Sequence, residues 1–199
     1  GKITNVHIGG TQTAIAGSFD PTYARAYGEA TMNLNPEFKF TSIHTLFKFT
    51  VKAGSTAPSK VTLTNNGMQM IAGLTTYDPA ATGDNDRAKF TFPGGSGAKE
   101  VSLKGSFEAG KTYYIVTVPF VTGSTTGITV SFDGVQVKTF KPAADFAFNS
   151  NTIYNLGTLE KPAAVKTPTV EMNTTSVLVK QSEDETSWLT SLEGGTAGM

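Results

Sequence analysis

Apolar and polar residues alternate with a period of two along most of the first 160 positions, in short runs of Val, Ile, Thr, Phe and Tyr separated by Gly, Pro, Asn and Asp. In Thr45–Val51, Phe47, Phe49 and Val51 share one face while Lys48 and Thr50 share the other, the pattern of a half-buried strand. Lys60–Thr64 repeats it with Val61 and Leu63. Further strands are predicted over Lys2–Ile8, Thr31–Leu34, Met68–Ala72, Lys89–Phe92, Glu100–Leu103, Thr112–Val118, Ile128–Phe132, Val135–Phe140 and Ile153–Leu159. Two hairpin turns are expected, because Asn and Gly tolerate positive φ: Asn65-Asn66-Gly67 joining Lys60–Thr64 to Met68–Ala72, and Asp133-Gly134 joining Ile128–Phe132 to Val135–Phe140. Thr112–Val118 is apolar on both faces, which predicts a central strand covered on each side.

Many short strands without a convincing helical period point to an all-β fold, a sandwich of antiparallel sheets over residues 1–160. Beyond Glu160 the texture changes. Lys161–Pro168 carries two prolines among small residues and reads as a linker. Ser176–Lys180 is a candidate strand, Ser182 and Glu185 have capping-box spacing ahead of Trp188, Leu189 and Leu192, and the end after Glu193 is Gly-rich. This extension, residues 161–199, could dock on its own sandwich, pair with another subunit, or open a further module.

Composition narrows the function. With 38% hydrophobic and 16% charged residues the chain can fill a core. Lys plus Arg (16) balances Asp plus Glu (16), and Arg25 and Arg87 are the only arginines, so nucleic acid is not expected as a partner. No run approaches the roughly 20 apolar residues of a membrane helix, which leaves a lipid anchor outside this chain as the route to a membrane. The chain starts at Gly1 rather than Met, which leaves room for an export or anchor segment upstream. The absence of cysteine excludes disulfides and thiolate metal sites.

Candidate chemistry is sparse. Gly105-Ser106-Phe107-Glu108-Ala109-Gly110-Lys111-Thr112 satisfies the phosphate-loop formula, but a phosphate loop must open a helix, and the aromatic and β-branched residues that follow are strand formers. A glycine-containing turn is the expectation, with no nucleotide. Asp84-Asn85-Asp86, with Asp78, could offer oxygens to calcium, yet lacks the Gly and Glu of a helical calcium loop and reads as a solvated loop tip. His7 and His44 have no second ligand at metal spacing and read as core or edge histidines. No nucleophile elbow occurs, so no catalytic residue, cofactor or metal is assigned and the chain is not expected to be an enzyme. Tyr23, Tyr27, Tyr77 and Trp188 lie outside the clearest strands. They are weighed as a sugar-stacking platform against ordinary packing under loops, and packing is preferred.

One ordered set of segments carries a resemblance. It comprises Gln12-Thr13-Ala14 with Gly17-Ser18-Phe19-Asp20-Pro21, Phe38-Lys39-Phe40 leading to Leu46–Val51, and Ile71-Ala72-Gly73. It continues with Gly105–Tyr114 and Pro119, and closes with Ile153-Tyr154-Asn155-Leu156-Gly157-Thr158-Leu159. Together these resemble the fimbrillin-like family, the pilus subunits of Gram-negative anaerobes. The resemblance implies a Greek-key sandwich, export to the cell surface, and assembly with other pilus subunits through strand edges after a protease removes an N-terminal segment. The family's lipid-bearing cysteine is absent here. Arg25, in Tyr23-Ala24-Arg25-Ala26, is a basic loop residue that no motif ties to cleavage. The family usually has two sandwich domains, whereas one plus a tail is read here, which leaves room for an accessory, anchor or tip role. The alternative is a non-catalytic module of a larger surface lipoprotein that binds a glycan or host protein.

Overall fold

The computed structural model describes residues 1–30, 35, 37–162, 169–172 and 177–180. Two units divide the chain, Gly1–Lys161 and Pro162–Met199. In the first unit the strands are β1 (Ile3–Ile8), β2 (Thr11–Thr13), β3 (Ala26–Ala30), β4 (Phe38–Ser42), β5 (Thr45–Val51), β6 (Lys60–Asn65), β7 (Ala72–Tyr77) and β8 (Phe90–Thr91). They continue as β9 (Gly97–Ala98), β10 (Glu100–Lys104), β11 (Thr112–Thr117), β12 (Phe120–Thr122), β13 (Ile128–Phe132), β14 (Val135–Phe140), β15 (Phe146–Phe148) and β16 (Thr152–Leu159). The second unit contributes an antiparallel pair, β17 (Thr169–Met172) and β18 (Val177–Lys180). Helix among the described residues is limited to three short 3-10 turns. The fold is all-β and sandwich-like. Thr31–Leu34, the remainder of the proline linker after Pro162, the Ser182–Glu185 capping pair, Trp188 and the Gly-rich end lie outside the described residues.

The core is built from the alternation. A five-stranded sheet runs β14-β13-β6-β10-β2, and a three-stranded sheet runs β11-β5-β16. Phe47, Phe49 and Val51 of β5 are fully buried, as are Val61 and Leu63 of β6 and Val130 and Phe132 of β13. The Phe49 ring lies 6.2 Å from Phe132 and 5.9 Å from Tyr113, so the two sheets meet through their aromatic inner faces. A third sheet orders β1-β7-β8, with β9 also on β7, while β12 pairs with β15 and β3 with β4.

Most pairings are antiparallel, with two exceptions: β2 runs parallel to β10, and β16 runs parallel to β5. The Asp133-Gly134 hairpin forms as expected, with φ of 50° and 82°, both positive as a type I′ turn demands. Asp133 Oδ1 also accepts from the Ser59 and Lys60 amides at 2.9 and 3.0 Å, locking the hairpin to the start of β6.

The other expected hairpin is not there. β6 pairs with β13 and β10, and the chain after Gly67 becomes a strand only with β7, which starts at Ala72 and pairs with β1 and β9. Asn65 is buried, its Oδ1 accepting from the Gly67 amide (3.1 Å) and its Nδ2 donating to the Gln69 carbonyl (2.9 Å). The Asn-Asn-Gly sequence builds a side-chain-closed turn that redirects the chain instead of folding it back.

Strand β11 is covered on both faces, with Tyr113, Ile115, Val116 and Thr117 fully buried. Among the described residues it is not flanked by two strands, since only β5 pairs with it. Its other edge is met by pieces. The Gly17 amide donates to Thr112 O at 2.7 Å, and the Val118 amide, just past the strand, donates to Ile71 O at 3.0 Å. Between them the side chain of Gln12 accepts from the Val116 amide (3.0 Å) and donates to the Val116 carbonyl (2.7 Å) and the Gly9 carbonyl (3.2 Å). One amide side chain thus completes a stretch of ladder where none of the described strands lies.

Candidate interaction surface

The phosphate-loop formula occupies a turn. Gly105 and Gly110 have φ of 142° and 82°, and Lys111 leads straight into β11. Inside the turn the Glu108 amide donates to Tyr113 Oη (2.8 Å), buried Phe107 packs on Tyr113 (4.7 Å), and the Gly110 amide donates to Val51 O (2.7 Å). The segment returns the chain against β5 and presents no helix N-terminus to an anion.

The acidic loop binds protein groups. Asp86 Oδ2 accepts from Ser150 Oγ (2.7 Å) and the Ser150 amide (3.2 Å), and Oδ1 pairs with Lys89 (3.0 Å). Burial pushes the Asp86 carboxyl up, but the Ser150 and Lys89 contacts outweigh it and hold it below the ordinary carboxylate value. Asp84 is exposed and Asp78 pairs with Lys2 at 3.6 Å. No group of three metal-ligating side chains occurs among the described residues.

His44 is buried, its Nδ1 lying 3.1 Å from Arg25 O and 3.2 Å from Arg25 N. Burial above all holds its imidazole below the usual value, with the nearby Arg25 charge adding to the effect and the Arg25 carbonyl opposing it. His7 is exposed and packs edge-on against Tyr23 (5.7 Å). Tyr23 fills the space where Gly9 lacks a Cβ, and Tyr27 packs on buried Tyr77 at 5.9 Å. These tyrosines are bracing and form no open platform. Arg25 is exposed, while its amide and carbonyl are held by His44 and the Ile43 amide.

The structure draws attention elsewhere, to an open flank. β16 ends the three-stranded sheet, its inner side paired with β5 and its outer side with no strand among the described residues. It is eight residues long, and Ile153 is 56% exposed. β14 ends the five-stranded sheet. An open groove of about 490 Å³ lies beside both terminal strands, with Ile128, Phe140, Phe146, Tyr154 and Leu156 in its lining and Lys141 at its margin. The aromatic wall is continuous: Phe148 lies 5.0 Å from Phe146 and 4.8 Å from Tyr154, and Phe47 of the core backs it at 4.9 Å. Tyr154 Oη is fixed by the Asn149 amide (2.9 Å). Lys138 Nζ sits 4.9 Å above the Phe140 ring. Such a flank has main-chain donors and acceptors in a row with apolar pockets alongside, the two requirements for accepting an extended segment.

Sequence reasoning placed β14 and β16 but not the groove, whose remaining wall comes from β15, a three-residue strand too short to show a period. Scanning the chain against family models and curated proteins finds no match.

Proposed function

We propose that the chain is a structural or adhesive subunit of cell-surface pili, exported to the bacterial surface and associating with other subunits by β-strand addition. The observation that carries this reading is the eight-residue terminal strand β16, which has no strand along its outer side among the described residues and is bordered by an apolar groove. The ordered segments between residues 12 and 159 that resemble the fimbrillin-like family point the same way. In this reading main-chain hydrogen bonds to β16 supply affinity and alternate side chains of the incoming strand fill the groove. Membrane attachment, in this reading, comes through a lipid anchor outside this chain.

The test is sedimentation velocity and electron microscopy of the exported protein before and after limited cleavage at basic residues. Ordered polymers are expected after the cut, and Ile153→Lys in β16 is expected to reduce them at least tenfold. Monomers throughout, with saturable binding to an oligosaccharide panel, would replace this reading with that of a glycan-binding surface module.

A further inference from the structure

Among the described residues β3 and β4 pair only with each other, in a ribbon whose ladder runs from Ala30↔Phe38 back to Ala26↔Ser42. A two-stranded ribbon is marginal in water by itself, so its attachments to the body matter. Partway along, Tyr27 packs on buried Tyr77 at 5.9 Å. At the root the ladder gains one more rung, the Ile43 amide donating to Arg25 O at 3.2 Å. The Arg25 amide donates to a side chain, His44 Nδ1, at 3.2 Å. The main chain of His44 belongs to the body: its carbonyl accepts from the Asn151 amide (3.0 Å), and the adjoining Thr45 Oγ1 donates to Asn149 O (2.8 Å). One residue thus has its backbone fixed at the start of β5 and its imidazole fixed to the root of the ribbon.

An amide can only donate, so this bond requires an unprotonated Nδ1. Nδ1 also lies 3.1 Å from Arg25 O, but that carbonyl already receives the Ile43 amide. A charged ring can take a share of the carbonyl only by leaving the Arg25 amide facing an N–H. The surroundings do not welcome the charge. The ring is buried under Phe19, with centroids 6.2 Å apart, and Ser42 Oγ lies 3.3 Å from both ring nitrogens. The charged side chain acting on it is Arg25, of like sign to an imidazolium. Among the described residues no carboxylate is bonded to it: Asp20, beside Phe19, is taken by the Thr13 and Thr22 amides, and Asp86, which reaches the Asn149–Asn151 loop, by Ser150 and Lys89. A cavity of about 280 Å³, with Phe19, Ala24, Arg25 and Leu46 in its lining, opens beside the ring, so the Ala24–Ala26 segment is not packed in on that side. We infer that His44 is a pH-sensitive latch on the ribbon: protonation of Nδ1 unseats the Arg25 amide and frees the root of β3 while the core sheets stay closed. The latch is independent of the subunit reading above.

The test is amide hydrogen exchange of the full chain by NMR from pH 7.5 down to 5, corrected for the intrinsic pH dependence of exchange, alongside the titration of the His44 imidazole. Exchange of the Arg25 amide is expected to accelerate at least about tenfold, with the midpoint of the imidazole titration. A local opening exposes little surface, so this exchange is expected to be insensitive to low urea, whereas the Phe47 and Ile115 amides exchange more slowly and respond to urea. His44→Gln offers an acceptor that does not titrate, and its Arg25 amide is expected to stay protected at pH 5. The wild-type comparison stands whether or not that variant folds. An Arg25 amide whose protection is unchanged across this range would overturn the latch. So would exchange at Arg25 with the rate and urea dependence of the core amides, since the whole fold would then be opening and not its root.

Discussion

His44 shows how a single buried base sets a pH window. Its imidazole sits under Phe19, ring centroids 6.2 Å apart, and is kept below its ordinary pKa mainly by burial. The unfolded chain takes up a proton first, near pH 6.5, so the stability associated with neutral His44 is complete above about that pH and is lost as pH falls through the folded value. Urea midpoints measured from pH 7.5 down to 5 are expected to decline, and His44→Gln is expected to flatten that decline. Asp86 acts in a lower window: its depressed carboxyl contributes above the ordinary carboxylate value and fails only as pH drops below it. Gln12 works through shape and hydrogen bonds, without charge. Gln12→Ala leaves the Val116 amide and carbonyl enclosed without those partners, at a cost of about 3 kcal/mol read from the urea midpoint. No sequence pattern could announce this role, because its partner lies 104 residues away. The histidines were legible as core or edge residues because neither has a second ligand at metal spacing.

Elements were legible where local chemistry decides them. Thr45–Val51, Ile128–Phe132 and Val135–Phe140 occur with the bounds their alternation sets, and Asp133-Gly134 turns where positive φ is needed. Asn65-Asn66-Gly67 misled because the same residues that favour a hairpin also close turns through their side chains. The parallel pairing of β16 with β5 left no local trace, since strands about 100 residues apart share no turn. Strands β3 and β4 were not predicted, and Phe38-Lys39-Phe40 stood out only as one segment of the fimbrillin resemblance. Within β16, Gly157 has φ of 85° and its amide bonds Asn155 Oδ1 at 3.0 Å. A Cβ there meets open space, so Gly157→Ala should cost only the backbone strain of the left-handed region, about 1 kcal/mol, measurable as a lower urea midpoint.

At the scale of the molecule, the phosphate-loop formula and the strand that follows it make opposite demands, and the strand prevails because Tyr113 and Ile115 are core residues. A ligand that binds the native state raises its melting temperature by mass action, so millimolar ATP with magnesium is expected to leave Tm unchanged. A shift of several degrees would restore nucleotide binding to consideration. The sandwich-like architecture itself was legible, because alternation at this spacing allows few other solutions. The groove was not, since it depends on which strands end up terminal, and that is settled by long-range pairing.

The irregularity in β16 between Asn155 and Gly157 has a consequence for any segment that docks there. Along an uninterrupted edge a visitor can slide by two residues and still point the same side chains inward. One extra residue midway shifts the pleat, so a slid visitor matches one half of the edge and clashes with the other. That offset works as an indexing notch, leaving a single alignment in which both halves fit.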